Sequence, residues 1–397
     1  MKVTIVGGGF GGVKAALELI KDKKNHVTLI SDRSDFQYYP ALYSTATGHS
    51  KRVSWVPLGQ IFANYDNIDV VIDTIVKLDA NEKILTAESG ATFHYKTLIL
   101  AIGAVTTFFG IEGLDTFAYG IKSAEEVKKL REHLYDEMGR EHIVDKHYVI
   151  VGAGPTGVEL AASLGHYLKR LKKHYGIKKG KIIIDLVEAA PRVMPRMSEY
   201  ESDLIAARLT KLGVKIMTNR KVESENAEGL VVNGKVIESQ TVIWTSGVAN
   251  HPFFKQHADI FTLAPNGKVI VDDHLKAHDS IYVIGDNAAT PHSGLAQTAL
   301  HDALFVAGNL RRIAKFKSPK KYKSVMPPVV IPVGKNWALM SWKKIVIAGW
   351  AGSMIRRFAD FVGYSDILPV GQALGVLSAE RLLEDQYFSA EMQARQK

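Results

Sequence analysis

Two glycine fingerprints of one design constrain this chain more than any other feature. Gly7-Gly8-Gly9-Phe10-Gly11-Gly12 directly follows the apolar run Val3 to Val6, and Gly152-Ala153-Gly154-Pro155-Thr156-Gly157 directly follows Tyr148 to Val151. Each is placed to leave a strand and open a helix. In that setting the glycines have separate mechanical jobs: a tight turn, close approach of the backbone to a pyrophosphate, and close packing of helix on sheet. The helix N-terminus then faces the phosphate charge with free N–H groups. One such motif is a weak signal, but two, about 145 residues apart, point to two dinucleotides on one polypeptide. The pair that suggests itself is a flavin and a nicotinamide.

A chain of 397 residues, 46% hydrophobic, is long enough to bury the cores of two or three domains. It contains no cysteine. Flavin-linked disulfide reduction and persulfide chemistry need thiols beside the flavin, so this chain cannot perform them with its own residues. Thiolate zinc sites are excluded as well, and without an HExxH motif or a paired carboxylate cluster no metal site is expected. The formal net charge of +9 suggests an acidic partner without choosing among a membrane surface, nucleic acid and an anionic substrate. Lys2 opens the first strand, so no signal peptide is expected before it. The longest uncharged, mainly apolar run, Thr97 to Ile111, falls short of the roughly 20 residues of a spanning helix, so any membrane contact is expected to be peripheral.

Along the chain, Lys2–Val6 reads as a strand, Gly12–Lys21 as a helix and Asn25–Ile30 as a second strand, the opening of a Rossmann unit. An acid is expected near the end of that second strand to take ribose hydroxyls. The strand ends Ser31-Asp32-Arg33, leaving Asp32, Ser31 in its place, or a plain turn residue. Ser89-Gly90 looks like a hairpin turn, and Thr97–Ala101 like the last strand of this part. Ser123-Ala124-Glu125-Glu126 has capping-box spacing and opens a helix to about Met138. After the second fingerprint a long helix ends in the basic stretch Lys169 to Lys173, and a strand over Lys181–Val187 delivers Glu188.

The fold class expected is α/β: two Rossmann-like dinucleotide-binding domains in a glutathione-reductase-like arrangement, plus a C-terminal membrane-associating segment. Residues 1–144 and 256–320 are expected to form a discontinuous FAD-binding domain, 145–255 an inserted NADH-binding domain, and 321–397 a C-terminal membrane-associating or dimerisation region.

Glu188, at a strand end behind a complete fingerprint, suits the two ribose hydroxyls of NADH and would repel a 2'-phosphate, although Arg192 nearby keeps the phosphorylated cofactor open. Glu159, early in the helix after Gly157, is explained equally by the helix dipole, worth about 0.3–1 kcal/mol, and by a catalytic role. Asp286 follows Gly285 at the end of the strand Ile281–Ile284, where a carboxylate can bind the ribityl hydroxyls of a flavin.

Taken together, these motifs resemble the two-dinucleotide flavoprotein superfamily and, within it, the type II NADH:quinone oxidoreductases. The resemblance runs through Pro40-Ala41-Leu42-Tyr43, Ala46-Thr47-Gly48, Gly154 to Leu160, Thr241 to Gly247 and Gly285-Asp286. Its most specific stretch is Ala296-Gln297-Thr298-Ala299. It implies FAD on the first fingerprint (Gly7, Gly9, Phe10, Gly11 and Gly12) and NADH on the second (Gly152, Gly154, Pro155, Thr156 and Gly157). Asp286 is then expected on the ribityl chain, Ile75 at the adenine and Ser246-Gly247 beside the nicotinamide nucleotide. Ala296 and Gln297 are expected at the flavin's quinone side, with Glu159 near flavin and nicotinamide. Where the family has Ala-Thr-Gly this chain has Ala101-Ile102-Gly103, leaving backbone contact only. Where a second glutamine is expected it has His301, read either as a donor to a quinone oxygen or as a helix-surface histidine.

From Arg311 to Arg357 there are twelve Lys or Arg and no Asp or Glu. Within and just beyond this stretch lie Trp337, Trp342 and Trp350, then Met354, Ile355, Phe358, Phe361 and Val362 beside Arg356 and Arg357. Such a segment suits the interface of an anionic bilayer, with a dimer or domain contact as the other reading. The expectation is a peripheral enzyme of a respiratory chain on the cytoplasmic face of the cell membrane. It carries electrons from NADH through FAD to a quinone without pumping protons, with Glu159, Gln297 and His301 as candidate catalytic residues, a homodimer as its assembly and no nucleic-acid partner. The alternatives are a soluble NADH-dependent ferredoxin or rubredoxin reductase, and a redox-sensing flavoprotein.

Overall fold

The computed structural model describes residues 1–384; the end of the expected C-terminal region, 385–397, lies outside the described residues. β1 (Lys2–Val6), α1 (Phe10–Ile20) and β2 (His26–Ser31) make the Rossmann opening. The helix starts at Phe10 rather than Gly12, because the extended Gly9 already completes the turn. β3 (Ile68–Ile72) follows, then a three-stranded antiparallel sheet over Ile75–Asp79, Ile84–Ala87 and Thr92–His94, with Ser89-Gly90 at its second turn.

β4 (Leu98–Leu100) and β5 (Ala104–Thr106) lead to α2 (Ala124–Tyr135). The capping box forms: Ser123 Oγ accepts from the Glu126 amide, and the Glu126 carboxylate accepts from the Ser123 amide. The helix stops at Tyr135 and passes through a π turn to Arg140. β6 (Tyr148–Val151), α3 (Pro155–His174) and β7 (Ile184–Val187) repeat the opening motif. β7 begins at Ile184, not Lys181, because that is where its partner β6 begins, Tyr148 lying opposite Ile184.

The second motif continues with α4 (Glu199–Lys211), β8 (Val214–Met217), β9 (Thr241–Trp244) and β10 (Val248–Asn250). Then come β11 (Lys276–His278), β12 (Ile281–Val283) and α5 (Ala296–Ile313). Last are the antiparallel strands β13 (Val329–Pro332), β14 (Ala338–Trp342) and β15 (Ile345–Gly349), and the helices α6 (Trp350–Ser365) and α7 (Val370–Ala379).

The molecule is α/β. Its first sheet has the order β11-β12-β4-β1-β2-β3, parallel except for β11, and so joins strands from the start of the chain to strands from beyond residue 275. The second has the order β8-β7-β6-β9, all parallel. Parallel strands covered on both faces need unbroken apolar runs, and Val149, Ile150, Leu186, Val242 and Ile243 are all buried. The antiparallel pair β5–β10 carries the two chain crossings between the sheets.

α1 packs along α5, burying Val13, Leu19 and Ile20 against Ala303, Val306 and Leu310. Fully burying one such branched side chain stabilises by about 1.5–3 kcal/mol. No helix among the described residues is long and apolar enough to cross a membrane.

Candidate functional site

The two glycine loops have the same geometry. Gly7 and Gly152 turn the chain at φ +115° and +103°, in the region that side chains avoid. Gly12 and Gly157 lie so close beneath them that an added Cβ would stand 1.8 Å from the carbonyl oxygen of Gly7 or Gly152. Above the middle glycines, Gly9 and Gly154, an added Cβ would meet nothing within 4 Å. These are the N-cap residues of α1 and α3, and neither helix has an acid in its first turn. Each loop therefore offers open space, free amides and the positive end of a helix dipole at one point, which fits a pyrophosphate. Around the first loop, Phe10 is buried edge-on against Phe36, and Gly11 lies under Ile284. Around the second, Pro155 takes the first helical position, where a missing N–H costs nothing, and Thr156 follows it.

The acid that should serve each loop differs. Glu188 bends back onto the second loop, Oε2 accepting from the Ala153 amide at 2.7 Å and Oε1 from the Ala190 amide at 2.8 Å. At the first loop Ser31 is buried below Gly8, 2.4 Å from where a Cβ of Gly8 would be, and its Oγ donates to the carbonyl of Arg33. Asp32 is exposed and forms a two-pronged pair with Arg33 at 2.8 and 3.1 Å.

The remaining expected residues are spread over three places: Ala101, Gly103 and Asp286 follow strands of the first sheet, Ile75 opens the three-stranded sheet, and Ser246-Gly247 follow β9 of the second. Ala101 closes over Gly7, and Ile75 is buried at the start of its strand. Gly103 exchanges two hydrogen bonds with the side chain of Asn287, at 2.9 and 2.7 Å. Asn287 is wholly buried and was not singled out in the sequence, where it is one polar residue after Gly-Asp. The turn of Gly285 is fixed from below by Asp302, which accepts the Gly285 amide and the hydroxyl of Tyr322. Burial raises the Asp286 carboxyl, and Lys268 opposes that shift. Lys268 also donates to Ser293 at 2.7 Å, and no sequence motif marks it. Ser246 lies against Gly152, and the carbonyl of Gly247 accepts from Lys122 at 3.2 Å.

Ala296 and the exposed Gln297 open α5, close in sequence to Gly285-Asp286. His301, one turn later, has Nε2 on the carbonyl of Lys323 at 3.0 Å and its ring tilted against Tyr322.

The largest surprise concerns Glu159. Its side chain is buried in the first turns of α3 and meets Arg356 of α6, Nη1 to Oε1 at 3.4 Å. Arg356 also donates to the carbonyls of Val330 and Pro40, and through Nε to Asp360 at 2.7 Å. Asp360 in turn accepts from Tyr38 Oη at 3.1 Å, whose ring stacks on Tyr364 at 4.1 Å. Burial pushes the Glu159 carboxyl up to about 8, with Arg356 pulling it down. Near neutrality that group can therefore both give and take a proton.

Two expectations about the basic segment need correction. Arg356 is not on an outward face; it is the buried hub just described. Trp337 is not an interfacial anchor either, since it packs on the second core with Arg208 over its ring. Ile355 and Phe361 are partly buried. The outward face of α6 is instead Trp350, Met354, Phe358 and Val362, every fourth residue, exposed by 69, 37, 66 and 43%. Trp342, Ile345, Val370 and Leu374 are further exposed apolar residues of this C-terminal part. Among the described residues no cluster could hold a metal ion.

A family model described as pyridine nucleotide-disulphide oxidoreductase matches residues 1–303. The type II NADH:quinone oxidoreductase Ndh of Mycobacterium tuberculosis is 30% identical over 336 residues, 78% of this chain and 72% of that protein. The chain belongs to this family, among its type II NADH:quinone oxidoreductases. A second relative of that description, from Staphylococcus epidermidis, is 26% identical and aligns over 90% of this chain and 94% of its own. The fold is shared with NDH2 from Plasmodium falciparum, solved in complex with NADH, at a TM-score of 0.84 and 19% identity, covering 96% of this chain and 97% of that one. The disulphide of the family's description has no counterpart here, since the chain has no cysteine.

Proposed function

We propose that this protein oxidises NADH and passes the two electrons to a quinone, with FAD held on the first glycine loop and NADH on the second. The observation that carries the reading is the duplicated loop geometry in a member of this family: two helix N-termini, each under open space at its middle glycine. FAD, when bound, supplies the step between a two-electron hydride donor and a quinone. The chain's own residues bind, orient and hold protons. The amides beyond Gly9 and Gly154 take the pyrophosphates, Glu188 takes the ribose hydroxyls of NADH, and Asp286 those of the ribityl chain. Ala296 and Gln297 line the quinone side. Glu159 holds a proton beside the reacting groups.

In this reading residues 1–144 with 256–320 serve FAD, 145–255 serve NADH, and the region from 321 onward meets the membrane. The outward stripe of α6 with its neighbouring Lys and Arg is an interface for an anionic bilayer at the cytoplasmic face, giving a lipid-soluble quinone a dry approach.

The test is to purify the protein and record its flavin spectrum. NADH oxidation is then compared with menaquinone, ubiquinone and ferredoxin, with and without anionic liposomes, and sedimentation reads the expected dimer. Flavin bleaching by NADH and quinone reduction stimulated by liposomes are the expected results. A protein that reduces ferredoxin and ignores quinone and lipid overturns the reading.

A further inference from the structure

Quinone reduction leaves a proton account that the site must settle. NADH delivers two electrons and one proton as hydride, while a quinone needs two electrons and two protons to become a quinol. One proton per turnover must therefore come from solution: NADH + H⁺ + Q → NAD⁺ + QH₂. Glu159 is placed to hold a proton, but it is only 8% exposed, so the proton has to reach it through the protein.

A crevice opens against its partner Arg356. Its walls include Tyr43, Ser44, Arg356, Asp360, Tyr364 and, at the end of α7, Glu380. The free space is about 20 Å³, room for one water. Glu380 is exposed, and His49 stands beside it, its Nδ1 2.6 Å from the Glu380 carbonyl.

Inside, the Tyr43 hydroxyl has four charged groups in electrostatic reach: Arg356, Glu159, Asp360 and Glu380. It makes no hydrogen bond to any described residue, and a phenol can accept on one side while donating on the other. Arg356 cannot relay a proton, since its guanidinium does not deprotonate, but it holds Glu159 and Asp360 on the two sides of itself. Tyr43 belongs to the Pro40-Ala41-Leu42-Tyr43 stretch, which cofactor binding leaves without a task.

We infer that this crevice is the entry route for the solvent proton, with Glu380 at its mouth and the Tyr43 hydroxyl as the relay to Glu159. The inference rests on the proposed quinone reductase activity. No bond to carbon forms or breaks along the route; the proton passes from water to Glu380 and across one water to the Tyr43 oxygen, which keeps it while giving its own hydroxyl proton to Glu159, and rotation about the C–O bond resets the tyrosine. Asp360 flanks the route, and Arg357 and His49 are the further charged or titratable groups that face Glu380.

The test uses full-length protein carrying Glu380→Gln or Tyr43→Phe, each checked for bound flavin and for the wild-type melting temperature. The first readout needs no turnover: after a pH jump, the infrared band of the protonated Glu159 carboxyl, identified by its loss in Glu159→Gln, is followed in time. Both variants are expected to slow its exchange at least fivefold. Quinone-linked kcat is expected to fall about tenfold with a larger solvent deuterium effect, whereas flavin bleaching by NADH in a rapid mixer stays within twofold. The route is overturned if carboxyl exchange and quinone-linked kcat in both variants match the wild type. A wild-type protein that bleaches with NADH but reduces no quinone would instead sink the underlying function.

Discussion

The two glycine loops agree in backbone and disagree in the acid beside them. Both have a positive-φ first glycine, an open middle one and a last one too close to its partner to carry any side chain. Beside the second, Glu188 is already fixed by two amides, one of them in the loop itself, which holds a carboxylate where the proposed function puts the ribose hydroxyls. Beside the first, the matching place is taken by a buried serine hydroxyl, and the nearest acid is spent on Arg33. The phosphate-binding half of the motif is thus dictated by steric contact, whereas the ribose-reading half is free to vary with the nucleotide. A cofactor that stays bound through turnover tolerates a plain ribose contact; one that exchanges every cycle gains more from a charged one.

Substituting the last glycine tests the shared half and should have the largest effect. Gly12→Ala is expected to abolish flavin-containing protein, because the new Cβ overlaps the Gly7 carbonyl within the six-stranded sheet's first turn. Gly157→Ala is expected to keep the flavin absorbance and lose saturable NADH oxidation; loss of flavin there too would mean the two loops fold as one unit. Next come the middle glycines. Gly9→Ala and Gly154→Ala meet no protein atom, so both variants should fold with wild-type melting temperatures, yet weaken FAD or NADH respectively about tenfold, near 1.4 kcal/mol.

The acids should separate the loops. Glu188→Gln is expected to raise the KM for NADH several-fold, up to about tenfold, since hydrogen bonds to an ionised group are roughly twice as strong as neutral ones. Asp32→Asn should change flavin retention less than twofold.

Glu159 gives a smaller, pH-dependent signal. Its folded-state carboxyl lies at about 8, above its ordinary value, so the folded state binds the proton more tightly and loses stability as pH rises between the two values. Glu159→Gln removes that loss. Its melting temperature should lie closest to the wild type's near pH 5 and exceed it increasingly toward pH 8.5, by roughly 1 °C for each kcal/mol of that loss in a chain of this length. A gap that is the same at both pH values would show that Glu159 does not titrate in the folded protein.

How far the sequence could be read follows from how local each cause is. Strands β1 and β6 have the expected bounds and the Ser123 box forms as spaced, because a few neighbouring residues decide them. The glycine loops are legible for the same reason. Glu159 was legible as a candidate but not its partner, since Arg356 is 197 positions away and is brought in by the packing of α6. In sequence Arg356 is one cation in a basic run; only the exposure of every fourth apolar residue turns the other side of the helix inward. Asn287 and Lys268 escaped notice because their partners are distant in sequence or unmarked: Gly103 is 184 positions from Asn287, and Ser293 belongs to no motif. Ser31 shows the converse: the departure from an acid was visible, but its meaning needed the contact with Gly8.

The strand order of the first sheet has a consequence for how the protein is made. β4 leaves the ribosome with one edge paired to β1 and the other waiting for β12, which comes some 180 residues later, after the entire second sheet has been synthesised. Until then that apolar edge is open to wrong partners. The intervening strands β6 to β9 need nothing from beyond residue 244 for their pairing, so they can assemble first. Synthesis arrested between residues 250 and 280 should therefore yield a nascent chain whose middle resists protease while its beginning is still cut.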